Sequence, residues 1–261
     1  MGLNRENAYI RQLSEEDRLL AARIADLAES GRKTSCVRFS FFLDERQCKI
    51  AQDILHSFQV TDYMFFGGFE GAKRKVLAVF PDAYTPGPED FPITPLEFKY
   101  RNSDALTHRD FLGAILAQQI KREFLGDILV NEGETIVFAM DSVAEMLLNE
   151  ITKIGSAGVK VRISEKKDFS IQENFQEITG TVASLRVDCV VSLATKLSRE
   201  KAAVFIKSAG ADINYKKSFL ASTLMEEGDV FSLRGYGKYR LTEIGGLSKK
   251  GKIFVRIHKY S

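Results

Sequence analysis

Proline is confined to one short stretch of this chain, and that distribution limits the fold more than any other feature. All five prolines lie in the segment PDAYTPGPEDFPITP, between Pro81 and Pro95. Proline has no backbone N–H and a fixed φ, so the cluster excludes a regular helix and a central strand. The sequence therefore predicts a domain boundary here, with an N-terminal α/β domain over residues 1–85.

The segment before the prolines has the pattern of two amphipathic helices and several short strands. Residues 14–30 carry an apolar stripe at helical spacing, with Ser14 as the N-cap and Gly31 as the stop. The other predicted elements are a strand within 36–43, a helix over 44–58 and strands over 63–66 and 76–80. The sequence GGFEGAKRK joins the last two strands and lacks the ending of a P-loop. We predict a turn there, with Lys73 and Arg74 as accessory phosphate ligands.

Residues 86–165 carry a β-α-β-β-α-β pattern. The predicted elements are a strand over 96–100, a helix capped by Thr107, strands over 127–130 and 135–139, a helix from 141 to 154 that Gly155 ends, and a strand over 159–163. This order is that of the ferredoxin-like plan and of the RRM, which stacks unpaired bases on the aromatic residues of its sheet. Phe98, Tyr100 and Phe138 are the aromatic candidates. The alternative is that they belong to the core.

Charge is divided unevenly along the chain, although the formal net charge is only +2. Residues 181–261 contain 15 Lys and Arg against 7 Asp and Glu, a net charge of +8. Residues 1–180 contain 22 Lys and Arg against 28 Asp and Glu, a net charge of −6. The basic block indicates a polyanionic partner for the last third of the chain, and the acidic body suits a protein partner.

Two helices are predicted within the basic block, and cations gather at the start of the second. LRVDCVVSLATKL has an apolar stripe, and Ser198 caps REKAAVFIKSA, which Gly210 ends in a left-handed conformation. Arg199 and Lys207 share a face of the second helix, and Lys201 lies near its start. A helix N-terminus disfavours positive charge, so these cations indicate a bound phosphate. The alternative is a solvated charged face.

The end of the chain interleaves cations with glycines. Glycine lets a backbone approach a phosphate chain closely, and the cations attract it whatever its base sequence. We expect Tyr236 and Tyr239 to stack on exposed bases. The alternative is a basic tail that serves solubility. The predicted RNA-binding set is Arg186, Ser198, Arg199, Lys201, Lys207, Lys216, Lys217, Arg234, Lys238, Arg240, Lys249, Lys250 and Lys252.

The order of helix, cap, glycine and Gly-Asp turn in this region resembles the S4-type RNA-binding domain. The similarity runs from LRVDCVVSLATKLSREKAAVFIKSAGADINY to EEGDVFSLRG and includes Asn214 and Gly228-Asp229. Asp212 departs from it, at a strand position that is usually apolar or basic. The blocks FFGGFEGAKRK, LTHRDFLGAILAQQIKREFLGDILV and TGTVASLRVD, and the tail RGYGKYRLTEIGGLSKKGKIFVRIHKY, are similar to the YlmH family of bacterial RNA-binding proteins.

The YlmH resemblance implies an α+β protein in three parts. These are an N-terminal domain, an RRM-like middle domain over 86–165 and an S4-type domain over 181–261. The resemblance also implies a bacterial cytoplasmic protein, often encoded beside division genes. It implies binding to ribosomal RNA or tRNA on the large ribosomal subunit, in rescue of stalled translation, without catalysis.

The sequence predicts no metal site, no cofactor and no membrane span. The three cysteines and three histidines are widely spaced, and the N-terminus lacks an apolar secretory segment. We expect buried or inert thiols in a reducing cytoplasm. His108-Arg109-Asp110 copies the start of a kinase catalytic loop, but Ile115 stands where Asn would follow. We expect Asp110 in the first turn of a helix, with His108 and Arg109 as accessory RNA contacts or in intramolecular contacts.

We therefore expect a non-enzymatic binder of structured RNA, and two other functions stay open. S4-type modules often precede pseudouridine synthase or methyltransferase domains, which favours an RNA-modifying enzyme. Residues 1–165, however, contain neither an H-R-L-D-x-x-[TS] run nor a glycine-rich cofactor loop that opens a Rossmann helix. The other alternative is a protein adaptor linked to cell division, which would dock a partner through its acidic body.

Overall fold

The computed structural model describes residues 15–33, 36–81, 84–166, 168–170 and 175–260. The chain divides into an N-terminal unit, Met1–Ile171, and a C-terminal unit, Gln172–Ser261. Helices and antiparallel sheets occur in both units, so the fold class is α+β, as predicted. The predicted boundary near residue 85 falls inside the N-terminal unit, and the division into three domains stays a prediction.

The first part of the N-terminal unit combines two helices with a small antiparallel sheet. The elements are α1 (Glu15–Lys33), β1 (Arg38–Leu43), α2 (Glu45–Ser57), β2 (Tyr63–Phe66) and β3 (Lys75–Val79). The strand order is β1-β3-β2. α2 begins with a reciprocal capping box, since the Asp44 carboxylate accepts the N–H of Gln47 at 2.8 Å and the Gln47 amide oxygen accepts the N–H of Asp44 at 2.9 Å.

The first helix continues past Gly31, so the prediction that this glycine stops it is wrong. α1 runs to Lys33, and Gly31 lies inside it against β3. A Cβ at position 31 would come within 2.9 Å of the Val79 side chain. Glycine therefore permits close packing of the helix on the strand. The predicted cap Ser14 lies outside the described residues.

The second part of the N-terminal unit has the predicted β-α-β-β-α-β order, with a small hairpin before the last strand. Its elements are β4 (Ile93–Lys99), α3 (His108–Ala117), β5 (Leu125–Asn131), β6 (Glu134–Met140), α4 (Asp141–Glu150), β7 (Lys153–Ile154), β8 (Ala157–Gly158) and β9 (Lys160–Ile163). The sheet order β5-β6-β4-β9 is consistent with the ferredoxin-like plan. The prediction that Gly155 ends α4 is wrong. This glycine lies with φ of 57° in the turn between β7 and β8.

One proline of the cluster lies in a central strand, which corrects the prediction for that segment. β4 pairs with β6 on one side and with β9 on the other, and Pro95 lies near its start. The Pro95 carbonyl accepts the N–H of Ser164, just beyond the end of β9. Since β9 has already ended at Ile163, the missing N–H of Pro95 removes no hydrogen bond from the regular ladder.

The two faces of this sheet separate aromatic residues that an RRM would present on one open face. Phe98 is fully buried on the helix side, with its ring centroid 5.6 Å from that of Phe111. Phe138 is fully buried on the opposite face, where Phe69 of the glycine-rich turn stacks on it at 4.8 Å. A Cβ at Gly68 would come within 2.4 Å of the Phe138 ring, so glycine lets the turn close on the sheet. Both rings therefore belong to the core.

The C-terminal unit packs two helices on one face of a larger antiparallel sheet. Its elements are β10 (Phe175–Val182), α5 (Val187–Thr195), α6 (Arg199–Ala209), β11 (Ala211–Ile213), β12 (Lys216–Ser218), β13 (Val230–Leu233), β14 (Gly237–Leu247) and β15 (Ile253–Tyr260). The strand order is β10-β15-β14-β13-β11-β12. The shared core includes Val190, Ile206, Phe231, Leu241 and Ile257. The glycine-rich end of the chain is thus an ordered pair of strands and not a tail.

Candidate nucleic-acid interface

A buried carboxylate holds two of the predicted RNA-binding arginines in the C-terminal unit. The Asp188 side chain is 4% exposed and accepts Nε–H of Arg186 at 3.2 Å and Nε–H of Arg199 at 3.1 Å. Burial raises the pKa of Asp188, but the hydrogen bonds from both arginines outweigh burial, and the pKa lies below its ordinary value. The arginine side chains remain 38% and 54% exposed, so both guanidinium groups are fixed and still accessible.

The starts of the two helices differ in what satisfies their N–H groups. At α5, the N–H groups of Val187 and Asp188 donate to the carbonyls of Thr223 and Ala221 at 2.8 and 3.2 Å. A neighbouring loop therefore closes that helix end. At α6, the Ser198 hydroxyl accepts the N–H of Lys201 at 3.3 Å, which confirms Ser198 as the cap. The α6 start carries the predicted cations Arg199 and Lys201, and both are exposed.

The tight connection between α5 and α6 adds a cation that sequence reasoning missed. Lys196 takes a left-handed conformation with φ of 59° at the end of α5. The Ser192 hydroxyl donates to the Leu197 carbonyl at 2.7 Å and fixes the turn. The available signal was a lysine placed immediately before the Leu-Ser cap, where a short connection has to reverse the chain.

A groove of about 430 Å³ lies beside this connection and brings three cations together. Its charged lining residues are Lys196, Arg199 and Lys252, and Thr181 and Ser192 also line it. Lys252 comes from the β14–β15 connection, so residues distant in sequence form one positive site. A phosphate accepts hydrogen bonds from ammonium and guanidinium groups, and this groove offers both.

The remaining cations of α6 are Lys201 and Lys207, and Lys201 lies next to an apolar strip. Lys207 is exposed, as the face predicted for Arg199 and Lys207 requires, and Lys201 is exposed as well. A second groove of about 570 Å³ is lined by Lys201, Val204, Phe205 and Tyr236, and Val204 is 65% exposed. This face therefore offers both charge and apolar surface to a partner.

The other predicted cations of the C-terminal unit lie on strands and at their connections. Lys216 and Lys217 are exposed on β12, and the Lys217 ammonium lies 5.6 Å from the centre of the Phe219 ring. Three more are exposed at connections: Arg234 lies between β13 and β14, and Lys249 and Lys250 lie between β14 and β15. The positions of Lys238 and Arg240 on β14 place them away from the groove. They alternate with the buried Tyr239 and therefore lie on the other face of the sheet.

The prediction that Tyr239 stacks on exposed bases is wrong, because this residue belongs to the core. It is 1% exposed, and its ring stacks on Phe231 at 5.1 Å. Its hydroxyl donates to the Tyr236 carbonyl at 2.9 Å, and burial raises its pKa. Alternation along β14 turns Tyr239 and Leu241 inward together, whereas Tyr236 precedes the strand and is half-buried.

Two further parts of the S4-type pattern, Asn214 and the Gly228-Asp229 turn, hold strands of the sheet together. The Asn214 amide donates to the Asp229 carboxylate at 2.7 Å and accepts the N–H of Val230 at 3.0 Å. Asn214 has φ of 46°, and Gly228 has φ of 93°, so both connections use left-handed backbone. The asparagine and the Gly-Asp turn therefore lock β11 to β13.

In the N-terminal unit, the predicted phosphate ligand Arg74 is engaged with protein carbonyls. Its guanidinium donates to Leu125 at 2.8 Å, Phe42 at 3.2 Å and Arg122 at 3.3 Å. The N–H groups of Lys73 and Arg74 both donate to the Asp127 carboxylate, at 2.6 and 3.3 Å. These bonds give Arg74 a structural role. Burial lowers its pKa, and burial together with the charge of Arg74 lowers the pKa of Arg122 to about 10.

The His-Arg-Asp sequence lies at the start of α3, as predicted. The Thr107 hydroxyl and N–H both donate to the Asp110 carboxylate at 2.7 Å, and these bonds lower the pKa of Asp110. Partial desolvation and the charge of Arg122 lower the pKa of His108. Arg109 is exposed. No contact in the structure tests an RNA role for His108 or Arg109, which stays a prediction.

Within the described part of the chain, no cluster of His, Cys, Asp and Glu is suited to a metal ion. Cys189 is buried, and burial raises the pKa of the half-buried Cys48 to about 12, whereas Cys36 is exposed. None of the described helices combines the length and apolarity needed to cross a membrane.

Comparison with known proteins places these features in context. Residues 86–169 match the family described as "Putative RNA-binding domain in YlmH". Over 218 residues the chain is 31% identical to the "Ribosome-associated protein quality control protein P2" of Bacillus subtilis (strain 168), covering 83% of this chain and 84% of that protein. The "Cell division protein ylmH from Streptococcus pneumoniae" has a similar fold, with a TM-score of 0.51 and 23% identity, covering 59% of this chain and 93% of the other.

Proposed function

The chain belongs to the YlmH family, and on that premise we propose that it binds structured RNA without catalysis. The RNA is ribosomal RNA or tRNA on the large ribosomal subunit, and the process is rescue of stalled translation. The name of the Bacillus subtilis relative, a ribosome-associated quality control protein, supports this choice of process. In this proposal residues 86–165 are an RRM-like domain and residues 181–261 are an S4-type domain.

The positive groove beside the α5–α6 connection carries the proposal. Lys196, Arg199 and Lys252 line one groove, and Asp188 holds Arg199 in place at 3.1 Å. A guanidinium that is already fixed loses little further freedom when it binds a phosphate. The groove therefore binds an RNA backbone by its charge and shape. Lys207 extends the contact along the Arg199 side of α6, and Lys201 adds positive charge on another side of the helix.

The N-terminal unit has a different part in this proposal. Its sheet aromatics Phe98 and Phe138 are buried, so stacking on bases through these rings is excluded there. Its net charge is −4, from 22 Lys and Arg against 26 Asp and Glu in residues 1–171, and this disfavours the RNA backbone and suits a protein partner. We assign the primary RNA contact to the C-terminal unit.

Sedimentation with ribosomes tests this function. In sucrose gradients of a bacterial lysate at low magnesium, we expect the protein to travel with the large subunit, and crosslinking followed by RNA sequencing to recover ribosomal RNA or tRNA. The variant K196A/R199A should stay near the top of the gradient, whereas the matched variant Lys49→Ala, which removes an exposed cation from the N-terminal unit, should sediment as the wild type does. A wild-type protein that never leaves the top fractions would contradict the proposal.

The absence of catalysis needs its own measurement. Ribosomal RNA and tRNA transcripts incubated with the protein, with and without S-adenosylmethionine, should give unchanged nucleosides by mass spectrometry. A new pseudouridine or methylated nucleoside that requires the protein would establish the enzymatic alternative.

A further inference from the structure

The sheet of the C-terminal unit has a second face, opposite the helices. Along β15, Val255 and Ile257 point into the core, so Arg256, His258 and Tyr260 point to the other side. The strand register places the outward residues of the neighbouring strands beside them. These neighbours are Phe175, Glu177 and Thr179 on β10 and Lys238, Arg240 and Glu243 on β14.

One end of this face carries aromatic rings that solvent can reach. The rings of Phe175 and His258 stack with centroids 3.7 Å apart and planes within 9°. Phe175 is 44% exposed, and it lies directly across from Tyr260 in the register of β10 and β15. An exposed ring in an ordered stack can accept a further planar group on its free surface.

Cations flank these rings. The Lys238 ammonium lies 5.2 Å from the centre of the Tyr215 ring and 5.7 Å from that of Tyr260, and it donates to the Tyr215 hydroxyl at 3.2 Å. Arg240 is exposed and lies opposite His258 in the register of β14 and β15. These contacts hold one ammonium group over an aromatic surface and leave a guanidinium beside it.

The other end of the face is electrically compensated. The Arg256 guanidinium lies 3.5 Å from a carboxylate oxygen of Glu177 and 3.2 Å from one of Glu243. Glu177 also lies 3.7 Å from Nε2 of His258. Lys238 and Arg240 lie beside aromatic rings toward the end formed by Phe175 and Tyr260.

We infer that this end of the sheet, the Phe175 platform, binds unpaired nucleotides of RNA. A base stacks on Phe175 or Tyr260, and the adjoining phosphates pair with Lys238 and Arg240. Aromatic rings interleaved with cations on an open sheet are the combination that recognises single strands, because every base has a stacking face and every nucleotide carries a phosphate. The inference rests on the proposed function and deepens it, since it adds a contact to an unpaired segment of the same RNA.

A fluorescent oligonucleotide tests the platform directly. A uridine strand of about eight nucleotides that contains one 2-aminopurine should lose fluorescence when it binds the full-length protein, because stacking quenches the probe. Phe175→Ala should weaken its binding by about tenfold and remove most of the quenching. Lys238→Ala should lower the steepness of log affinity against log salt by roughly 0.7, as expected for the loss of one phosphate contact.

The controls separate this inference from the proposed function. Phe254→Ala removes a half-buried aromatic residue from the same face of β15, about 20 Å along the strand, and should leave the quenching unchanged. Phe175→Leu keeps the apolar volume and removes only the aromatic face, so it should act as Phe175→Ala does. If structured ribosomal RNA binds but the oligonucleotide does not, or if the Phe175 variants quench normally, the platform is refuted alone. If neither RNA binds, the proposed function fails as well.

Discussion

In the N-terminal unit Arg74 and Arg122 lie close to Asp127, and in the C-terminal unit Arg186 and Arg199 lie beside Asp188. The N-terminal cluster directs its guanidinium groups inward, where Arg74 donates to three carbonyls. The C-terminal cluster shares one buried carboxylate between two arginines that remain 38% and 54% exposed. The same residue types therefore bond the protein's own carbonyls in one unit and remain open to solvent in the other. What distinguishes them is how many acceptors the protein itself supplies.

The largest effect should come from Arg74→Ala. The substitution removes the guanidinium that bonds the carbonyls of Phe42, Arg122 and Leu125 and takes one positive charge from beside Asp127, so we expect the free energy of unfolding of the N-terminal unit to fall by about 3 kcal/mol. Urea unfolding followed by circular dichroism measures this change, and hydrogen exchange in β1 and β5 locates it. Arg101→Ala, at a side chain that is 78% exposed, should change the stability by less than about 0.5 kcal/mol. Equal losses in the two variants would remove the distinction between the clusters.

The next effect should be on RNA affinity. K196A/R199A removes two cations from the groove, each worth roughly 1 kcal/mol of phosphate contact, so affinity for structured RNA should fall about thirtyfold. Fluorescence anisotropy with labelled ribosomal RNA fragments measures it. Folded Arg74→Lys protein serves as the counterpart in the N-terminal unit and should bind RNA as the wild type does. Weaker binding by Arg74→Lys would show that both clusters face RNA.

The smallest effect should be a change in acid stability. The pKa of Asp188 is lowered in the folded protein, so its contribution is complete above the unfolded value of about 3.9 and is lost as the pH falls through the lower folded value. Asp188→Asn should lower the free energy of unfolding by about 1 kcal/mol at neutral pH. In this variant the free energy of unfolding should also fall less steeply as the pH is lowered. Unfolding curves between neutral pH and acid measure both. Asp212→Asn, at an exposed carboxylate, is the control. If the free energy of unfolding of Asp188→Asn fell with acid as steeply as that of the wild type, the pairing of this carboxylate with the two arginines would be contradicted.

Local signals were sufficient to predict much of the fold. Asp44 and Thr107 mark helix starts because caps act on groups within a few residues of themselves. The predictions for Gly31 and Pro95 were wrong because the roles of these residues depend on distant partners. The partner is Val79 for Gly31 and the end of β9 for Pro95. No pattern within the helix reports how close a strand will approach, and no pattern within the strand reports where its neighbour stops.

The candidate site shows the same limit. Ser198 and Arg199 were predictable because a helix start and its charges are local features. Lys196 was missed because its importance comes from the groove it shares with Lys252, which the sheet brings near. Tyr239, in contrast, was predicted to contact RNA and does not lie at the surface, since alternation along β14 places it in the core together with Leu241.

The most direct test of RNA binding by the C-terminal unit is the salt dependence of the protein's affinity for RNA. If about 6 phosphates are neutralised, log affinity for structured RNA should fall against log salt with a slope of roughly −4 to −5. Replacing Lys196, Arg199 and Lys252 together by alanine should reduce the steepness by about 2 to 3. A salt-insensitive wild type, or a triple variant with the wild-type slope, would contradict the assignment of RNA binding to this groove.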